Sequence, residues 1–436
     1  MEVSPATRTP DGSIVPDRRW IRVVRVFFAL ALFLACAFYL VSGRPVIPAF
    51  RWMFVFAVAW SVGTILTPFA GRLSYRFGWL DIPAERKIHT RPTPLLGGLA
   101  LIFAFNTALL FNSQYSLAMK GVSIGGAIVW LLGVLDDRRE LPAVLKLFGQ
   151  LLAVSVLLFT GVRATFLPDA WWGITGEVLI TVIWVIGITN AVNFLDGMDG
   201  LAAGMCIIIS FFLALVALQT NQSYFAFVAI ALLASCLAFM PYNFRRRRGA
   251  AIFLGDNGST FLGFTLAATV LMGNWSEDNL ASLIVPLLLL GVPIFDMVLT
   301  TVMRFRNRQV RTIREWLAYT GRDHFHHRLA ALGIGRHRAV VVIWTITVIL
   351  GISAVVLKQA RGIDAILLLF QEALIFAMIS FFMIYVRSNQ IRLFAEAQSG
   401  VPGKDNSLAE EIMAEKLKGE SESPSESPSP VDRPTR

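Results

Sequence analysis

The stretch VLITVIWVIGITNAVNFLDGMDGLAAGMCIIISFFLALVAL, residues 178–218, decides the fold. An apolar run lies on either side of NFLDGMDG, at about 176–194 and 201–219. Each has the length that crosses a hydrocarbon core, roughly 17 to 25 residues. Aspartates are costly inside a bilayer. Asp196 and Asp199 therefore mark the membrane surface, and the chain turns back between two antiparallel transmembrane helices.

The same pattern extends along the chain. Of its 436 residues, 56% are hydrophobic and only 16% charged, and the mean hydropathy of +0.63 lies far above that of soluble globular chains. Further apolar runs lie at 21–42, 49–71, 97–113, 118–135, 143–162, 223–242, 253–273, 281–302, 339–357 and 364–386. The expected fold is an all-α polytopic membrane protein of about 12 transmembrane helices. The run at 21–42 is long and lacks a clear small-residue cleavage pattern, so it reads as a retained helix. Cys36, Cys206 and Cys236 sit in apolar stretches without CxxC spacing and read as small core residues.

A net charge of +10 would suit nucleic acid, but the placement of the charges excludes that partner. With a cytosolic amino terminus and alternating helices, all but Arg44, Arg51, Lys120, Arg163, Lys358 and Arg361 of the 39 Lys and Arg fall on the cytosolic side. That is the positive-inside rule, and it leaves no excess to explain. Residues 1–20 and the tail 398–436, which ends SESPSESPSPVDRPTR, are too poor in apolar surface to offset ordering entropy and are expected to be disordered. The long loops, at about 72–96, 136–142, 243–252 and 303–338, are all cytosolic in this topology.

Asp81, Asp136, Asp137, Asp196, Asp199, Asp256 and Asp296 all fall at cytosolic ends of the expected helices. Five clusters result. In GVLDDRRELPAVLKL, residues 133–147, the adjacent Asp136 and Asp137 repel unless a cation neutralises them; they suit a solvated helix end or a Mg²⁺ site. NAVNFLDGMDGLAAG, residues 190–204, brings Asn190, Asn193, Asp196 and Asp199 together, with Gly197 and Gly200 free to take positive φ and Asp199 placed to cap the next helix. Capping alone needs one Asp, so the cluster points to chemistry.

FLGDNGSTFLGF, residues 253–264, sets Asp256, Asn257, Gly258 and Ser259 at a helix start, a seat for a phosphate with its metal or an ordinary cap by Ser259. RDHFHHRLAALG, residues 322–333, holds His324, His326 and His327 beside Arg322 and Arg328. With no Cys nearby, zinc is disfavoured, and contact with a pyrophosphate is the more economical reading. DIPAERKIHTRPTPLLGG, residues 81–98, carries Arg86, Lys87, His89 and Arg91 in a loop shaped by Pro and Gly.

These five stretches, in this order between membrane helices, resemble the polyprenyl-phosphate N-acetylhexosamine 1-phosphate transferases. That family includes the bacterial enzymes that begin O-antigen, enterobacterial common antigen and teichoic acid synthesis, and the translocase of peptidoglycan synthesis. The resemblance covers about 49–390 as one membrane-embedded domain; the helix at 21–42 is additional to the family's usual set, and Arg245 to Arg248 lengthen the loop after Asn243. HFHHRL is similar to the branch that uses UDP-GlcNAc, whereas the translocase carries three consecutive histidines.

The resemblance implies a transferase of the bacterial inner membrane, with site and both termini cytosolic. Its partners would be a UDP-sugar, undecaprenyl phosphate and the bilayer, a homodimer being an admissible assembly. Its cofactor would be Mg²⁺, with Mn²⁺ as an alternative. The phosphate oxygen of the lipid would attack the β-phosphorus of the UDP-sugar, most simply GlcNAc, and release UMP. Asp256 is then the leading metal ligand, with Asp136 and Asp137 for metal or nucleophile positioning. Asp196 and Asp199 would serve as further catalytic carboxylates, and Lys87, Asn193, Asn243, His324, His326, His327 and Arg328 would contact substrate. Direct displacement is favoured over a phosphoryl-aspartate, because a phosphate monoester with a second pKa near about 6 is largely ionised already. A secondary transporter is disfavoured, because the acids share one face and no internal repeat is visible.

Overall fold

The computed structural model describes residues 7–8, 14–15, 19–42, 46–83, 91–112, 115–245, 249–276, 278–312, 315, 321, 323–357 and 362–399. The chain divides into two compact units, Met1–Ile375 and Phe376–Arg436. The helices of the first are α1 (Arg19–Val41), α2 (Arg51–Phe77), α3 (Gly97–Phe111), α4 (Leu117–Arg138), α5 (Ala143–Phe159), α6 (Trp171–Leu195), α7 (Leu201–Gln219) and α8 (Ser223–Asn243). There follow α9 (Gly255–Met272), α10 (Asn279–Leu289), α11 (Gly291–Arg306), α12 (Phe325–Leu329), α13 (Arg336–Leu357) and the start of α14 (Gly362–Ser399). In the second unit Phe381 stacks on Tyr385, with ring centroids 6.2 Å apart. Strands β1 (Thr7–Arg8) and β2 (Ile14–Val15) pair antiparallel, as do β3 (Leu80–Asp81) and β4 (Thr93–Pro94).

All twelve apolar stretches are helical, but they are not equivalent. Among the described residues eight helices are long and apolar enough to cross a membrane, or nine if α10 and α11 count as one broken span. α3 and α5 are shorter, at 15 and 17 residues. The single helix expected over 281–302 is instead bent by 73° at Leu290. Pro286 cannot donate to the helix ladder, and Gly291 and Pro293 follow directly, so the chain ends one helix and starts another.

α9 lies at the centre, against α3, α4, α6, α7 and α8. Phe261, Leu262, Phe264 and Leu266 are fully buried, and Phe105 of α3 meets Phe261 edge-on at 5.6 Å. Lipid is as apolar as Leu, so close fit rather than expulsion of water holds such a helix. A Cβ at Gly133 of α4 would come within 2.4 Å of the Asn257 Cα, so only glycine lets α4 approach the start of α9. Asp81 lies in β3 rather than at a helix end. Its partner strand β4 is sewn to the chain entering α9: Phe253 N donates to Pro94 O at 2.8 Å, and the Gly97 and Gly98 amides donate to Phe253 O and Leu254 O at 3.1 Å. The chain leading from β4 into α3 and the FLGDNG turn are thereby joined.

Candidate active site

Asp137, in the last turn of α4, accepts from Asp256 N at 2.9 Å through one oxygen. Its other oxygen accepts from Asn257 N at 3.1 Å and Asn257 Nδ2 at 2.5 Å. The orphan amides of the α9 amino terminus are therefore capped from another helix. Ser259 does not cap: its hydroxyl donates to Gly255 O at 3.0 Å and accepts from Asn193 Nδ2 at 2.8 Å.

Asp136, 8% exposed, accepts from Leu141 N at 2.8 Å and pairs with Lys146 of α5. Its carboxyl faces that of Asp256 within hydrogen-bonding contact, and the Lys146 Nζ lies 3.8 Å from Asp256. Asp256 also accepts from Asn193 Nδ2 of α6 at 3.0 Å. Lys146, which sequence reasoning passed over, is thus the cation between two acids. Two carboxylates in contact need a proton or a cation between them, and the donor set is all oxygen, which fits Mg²⁺. Among the described residues no three His, Cys, Asp or Glu side chains are grouped to hold a metal alone. The protein's share would be one or two carboxylates, with phosphate and water completing the shell.

Asp196 follows α6 directly. Burial holds its carboxyl well above the ordinary carboxylate range, and the charges of Asp256, Asp137 and Asp199 push the same way. Asp199 does not cap α7; it accepts from Ala250 N at 2.8 Å and holds the loop after α8. Of the two turn glycines only Gly200 takes positive φ, at 79°. Gly197 is needed for clearance instead, because a Cβ there would lie 2.3 Å from the His326 Nε2. Asn190 sits away from the acids, fastening α6 to α5 through Gln150 at 2.9 and 3.2 Å. Asn243 is buried, accepting from Gly200 N at 2.8 Å and donating to Ile252 O at 3.0 Å, so it braces the turn from below.

The histidine segment is a short helix fixed from α11 rather than an open loop. Asp296, 1% exposed, accepts from His324 Nδ1 at 2.8 Å and from Phe325 N at 2.5 Å. The carboxylate fixes the proton on Nδ1 and leaves Nε2 facing Arg304 Nη2 at 3.5 Å. Arg304 grips Asp323 through two bonds of 2.7 and 2.8 Å. Burial opposes the Asp323 charge, but the Arg304 bonds prevail and hold its carboxyl below the usual range.

Phe194 stacks on His324 at 5.1 Å, His324 on His326 at 6.2 Å, and His326 meets His327 at 4.2 Å. His326 is fully buried, and neither ring nitrogen has a hydrogen-bond partner among the described residues. Burial, then His327 and His324, push its pKa well below the usual imidazole value, so it is neutral. Arg328 folds back, donating from Nε to Asp323 O at 2.5 Å. Arg86, Lys87, His89, Arg246 to Arg248 and Arg322 lie outside the described residues, as do most of 1–20 and all of 400–436.

Asp136, Asp137, Asp196, Asp256, Asn193 and the histidines therefore converge at one end of the bundle, while Asp199, Asn190 and Asn243 brace it. Arg304 and Lys146 are additions that only contacts reveal; Asp296, one of the seven acids expected at cytosolic helix ends, lies in the second turn of α11, and only its bonds to His324 and Phe325 give it a place at the site.

The sequence model of glycosyl transferase family 4 matches residues 119–274, the span from α4 to the end of α9. The chain is 34% identical over 316 residues to the probable undecaprenyl-phosphate N-acetylglucosaminyl 1-phosphate transferase of Bacillus subtilis (strain 168), covering 71% of this chain and 86% of that protein. It is 32% identical to the decaprenyl-phosphate N-acetylglucosaminephosphotransferase of Mycobacterium leprae (strain TN), covering 70% of this chain and 84% of the other. A phospho-N-acetylmuramoyl-pentapeptide-transferase of Desulforudis audaxviator (strain MP104C) is 28% identical, over 68% of this chain and 94% of its own. Identity is thus higher to these two N-acetylglucosamine transferases than to the muramoyl-pentapeptide transferase. With its apolar helices and membrane-enzyme relatives the chain is a multi-pass membrane protein, and it belongs to glycosyl transferase family 4, the polyprenyl-phosphate N-acetylhexosamine 1-phosphate transferases.

Proposed function

We propose that this enzyme transfers GlcNAc 1-phosphate from UDP-GlcNAc to undecaprenyl phosphate, giving undecaprenyl diphospho-GlcNAc and UMP, as the first membrane step of a cell-envelope glycan. The observation that carries the reading is the facing pair Asp136 and Asp256, neutralised by Lys146 and set beside the histidine stack at one end of the helix bundle. A lipid phosphate held in the bilayer and a water-soluble nucleotide can meet only at such an interface. That end faces the cytosol in this reading, with twelve crossings in the bacterial inner membrane and both termini inside, and the distribution of Lys and Arg supports it.

Asp256 and Asp136 are the residues that would hold Mg²⁺, which when bound would offset the charge that keeps two phosphates apart. Asp137 presents Asp256 by fixing the backbone on which it stands. Asn193 orients the Asp256 carboxyl from α6. The lipid phosphate forms a bond to the β-phosphorus while the bond from that phosphorus to the bridging oxygen breaks, and the UMP oxygen leaves with the electron pair. His326 presents a neutral imidazole beside the turn of Asp196, and His324, held by Asp296, keeps a defined tautomer next to Arg304.

The test is a panel of labelled UDP-sugars, including UDP-MurNAc-pentapeptide, with undecaprenyl phosphate and Mg²⁺, scored for butanol-extractable label and UMP release. UDP-GlcNAc should be the best donor, with one UMP per lipid product. Transfer from UDP-MurNAc-pentapeptide alone would move the protein to the other branch.

A further inference from the structure

α5 and α6 each send one side chain to the Asp256 carboxylate, Lys146 Nζ at 3.8 Å and Asn193 Nδ2 at 3.0 Å. One turn farther from the acids, each helix carries an amide: Gln150 four residues after Lys146, and Asn190 three residues before Asn193. The two amides bond reciprocally. Gln150 Nε2 donates to Asn190 Oδ1 at 3.2 Å, and Asn190 Nδ2 donates to Gln150 Oε1 at 2.9 Å and to Ile186 O at 2.8 Å.

The first two turns of α5 have little packing of their own. Val144, Leu145 and Phe148 are exposed, Lys146 is half-buried, and Gln150 is the first buried side chain of the helix. Lys146 carries its charge on a flexible stem, so the backbone beneath it decides where the ammonium can reach. In hydrocarbon no water replaces a lost amide partner, and the pair therefore fixes the spacing and rotation of α5 against α6. Packing alone would not call for it, because two apolar side chains would fill the same space without the cost of burying amides.

We propose that Gln150, through Asn190, is a positioning residue for the transfer reaction. The amide pair sets the distance between Lys146 and Asn193 and so holds both on Asp256. The inference rests on the role given to Asp256 above.

The test compares turnover, the Michaelis constant for UDP-GlcNAc and the melting temperature of the full chain in detergent. Gln150→Met keeps the length and removes the amide. It should lower turnover on the order of tenfold, the scale of losing an outer partner that orients a functional ligand, with a smaller change in the Michaelis constant. Gln150→Asn is a methylene too short for both bonds and should behave alike, which serves if the Met variant fails to fold. Combining Gln150→Asn with Asn190→Gln restores one long and one short amide and should recover most of the lost turnover. Adding Gln150→Met to Lys146→Gln should cost less than the product of the two single losses, because both act on the same contact. Losses that multiply, or a lower melting temperature with normal turnover in the folded fraction, would overturn the positioning role and leave a plain packing contact. Normal turnover in Gln150→Met while Asp256→Asn is inactive would remove this inference alone; normal turnover in both would remove the reading of the site with it.

Discussion

Asp137 and Asp256 are 119 residues apart, yet the carboxylate of the first caps the backbone on which the second stands, at 2.9 Å. Two acids that look alike in sequence therefore do different work. Asp137→Ala should cost about 1 kcal/mol of stability, the usual scale for a lost cap, and lower the melting temperature. Asp256→Asn keeps the bond from Asn193 and relieves repulsion with Asp136, so it should melt no lower than wild type while Mg²⁺-dependent transfer is abolished. Thermal melting in detergent and transfer against Mg²⁺ concentration separate the two. If Asp256→Asn kept its response to Mg²⁺, the metal role would pass to Asp136.

Lys146 occupies the gap between Asp136 and Asp256. A side-chain ammonium and a bound cation compete for the same negative charge. Lys146→Gln should therefore lower the Mg²⁺ concentration needed for half-maximal rate while slowing turnover at saturating substrate. A raised Mg²⁺ requirement would show that Lys146 assists the metal rather than competing with it.

Asp296 acts through His324, so it is a positioning residue. In Asp296→Asn the amide can still accept from Phe325 N, but it can no longer be sure to receive the Nδ1 proton, and the ring tautomer is released. Turnover should fall on the order of tenfold or more, the scale of losing the carboxylate that orients a functional histidine. The Michaelis constant for UDP-GlcNAc should change less than turnover. A variant that only unfolded more readily, with normal turnover in the folded fraction, would reduce Asp296 to a structural anchor.

His326 carries a signature in pH. Its folded pKa is depressed by burial, whereas the unfolded ring titrates near about 6.5. Between the two values the unfolded chain binds the extra proton, so this contribution to stability is fully present above about pH 6.5 and is lost as pH falls toward the folded value. Melting temperatures measured downward from pH 7.5 should drop more steeply for wild type than for His326→Phe. Parallel curves would mean that the ring is not held neutral.

The helices were legible in sequence because bilayer thickness dictates their length and apolar side chains must face lipid or one another. The carboxylates were legible because an acid in such a chain has to sit at a surface. Roles were not legible, since they depend on which helix lies opposite. Asn190 and Asn193 are one turn apart on α6, yet one meets Gln150 of α5 and the other Asp256 of α9. Gly197 looked like a turn residue and proved to be clearance for an imidazole, and the bend at Leu290 took two prolines and a glycine acting together. Local composition determined the elements and the membrane end to which the chemistry belongs. Only tertiary contact decided that Asp137 braces, that Lys146 neutralises and that Asp296 holds His324, because each is a hydrogen bond or ion pair between separate helices, with a strength set by distance rather than by residue type.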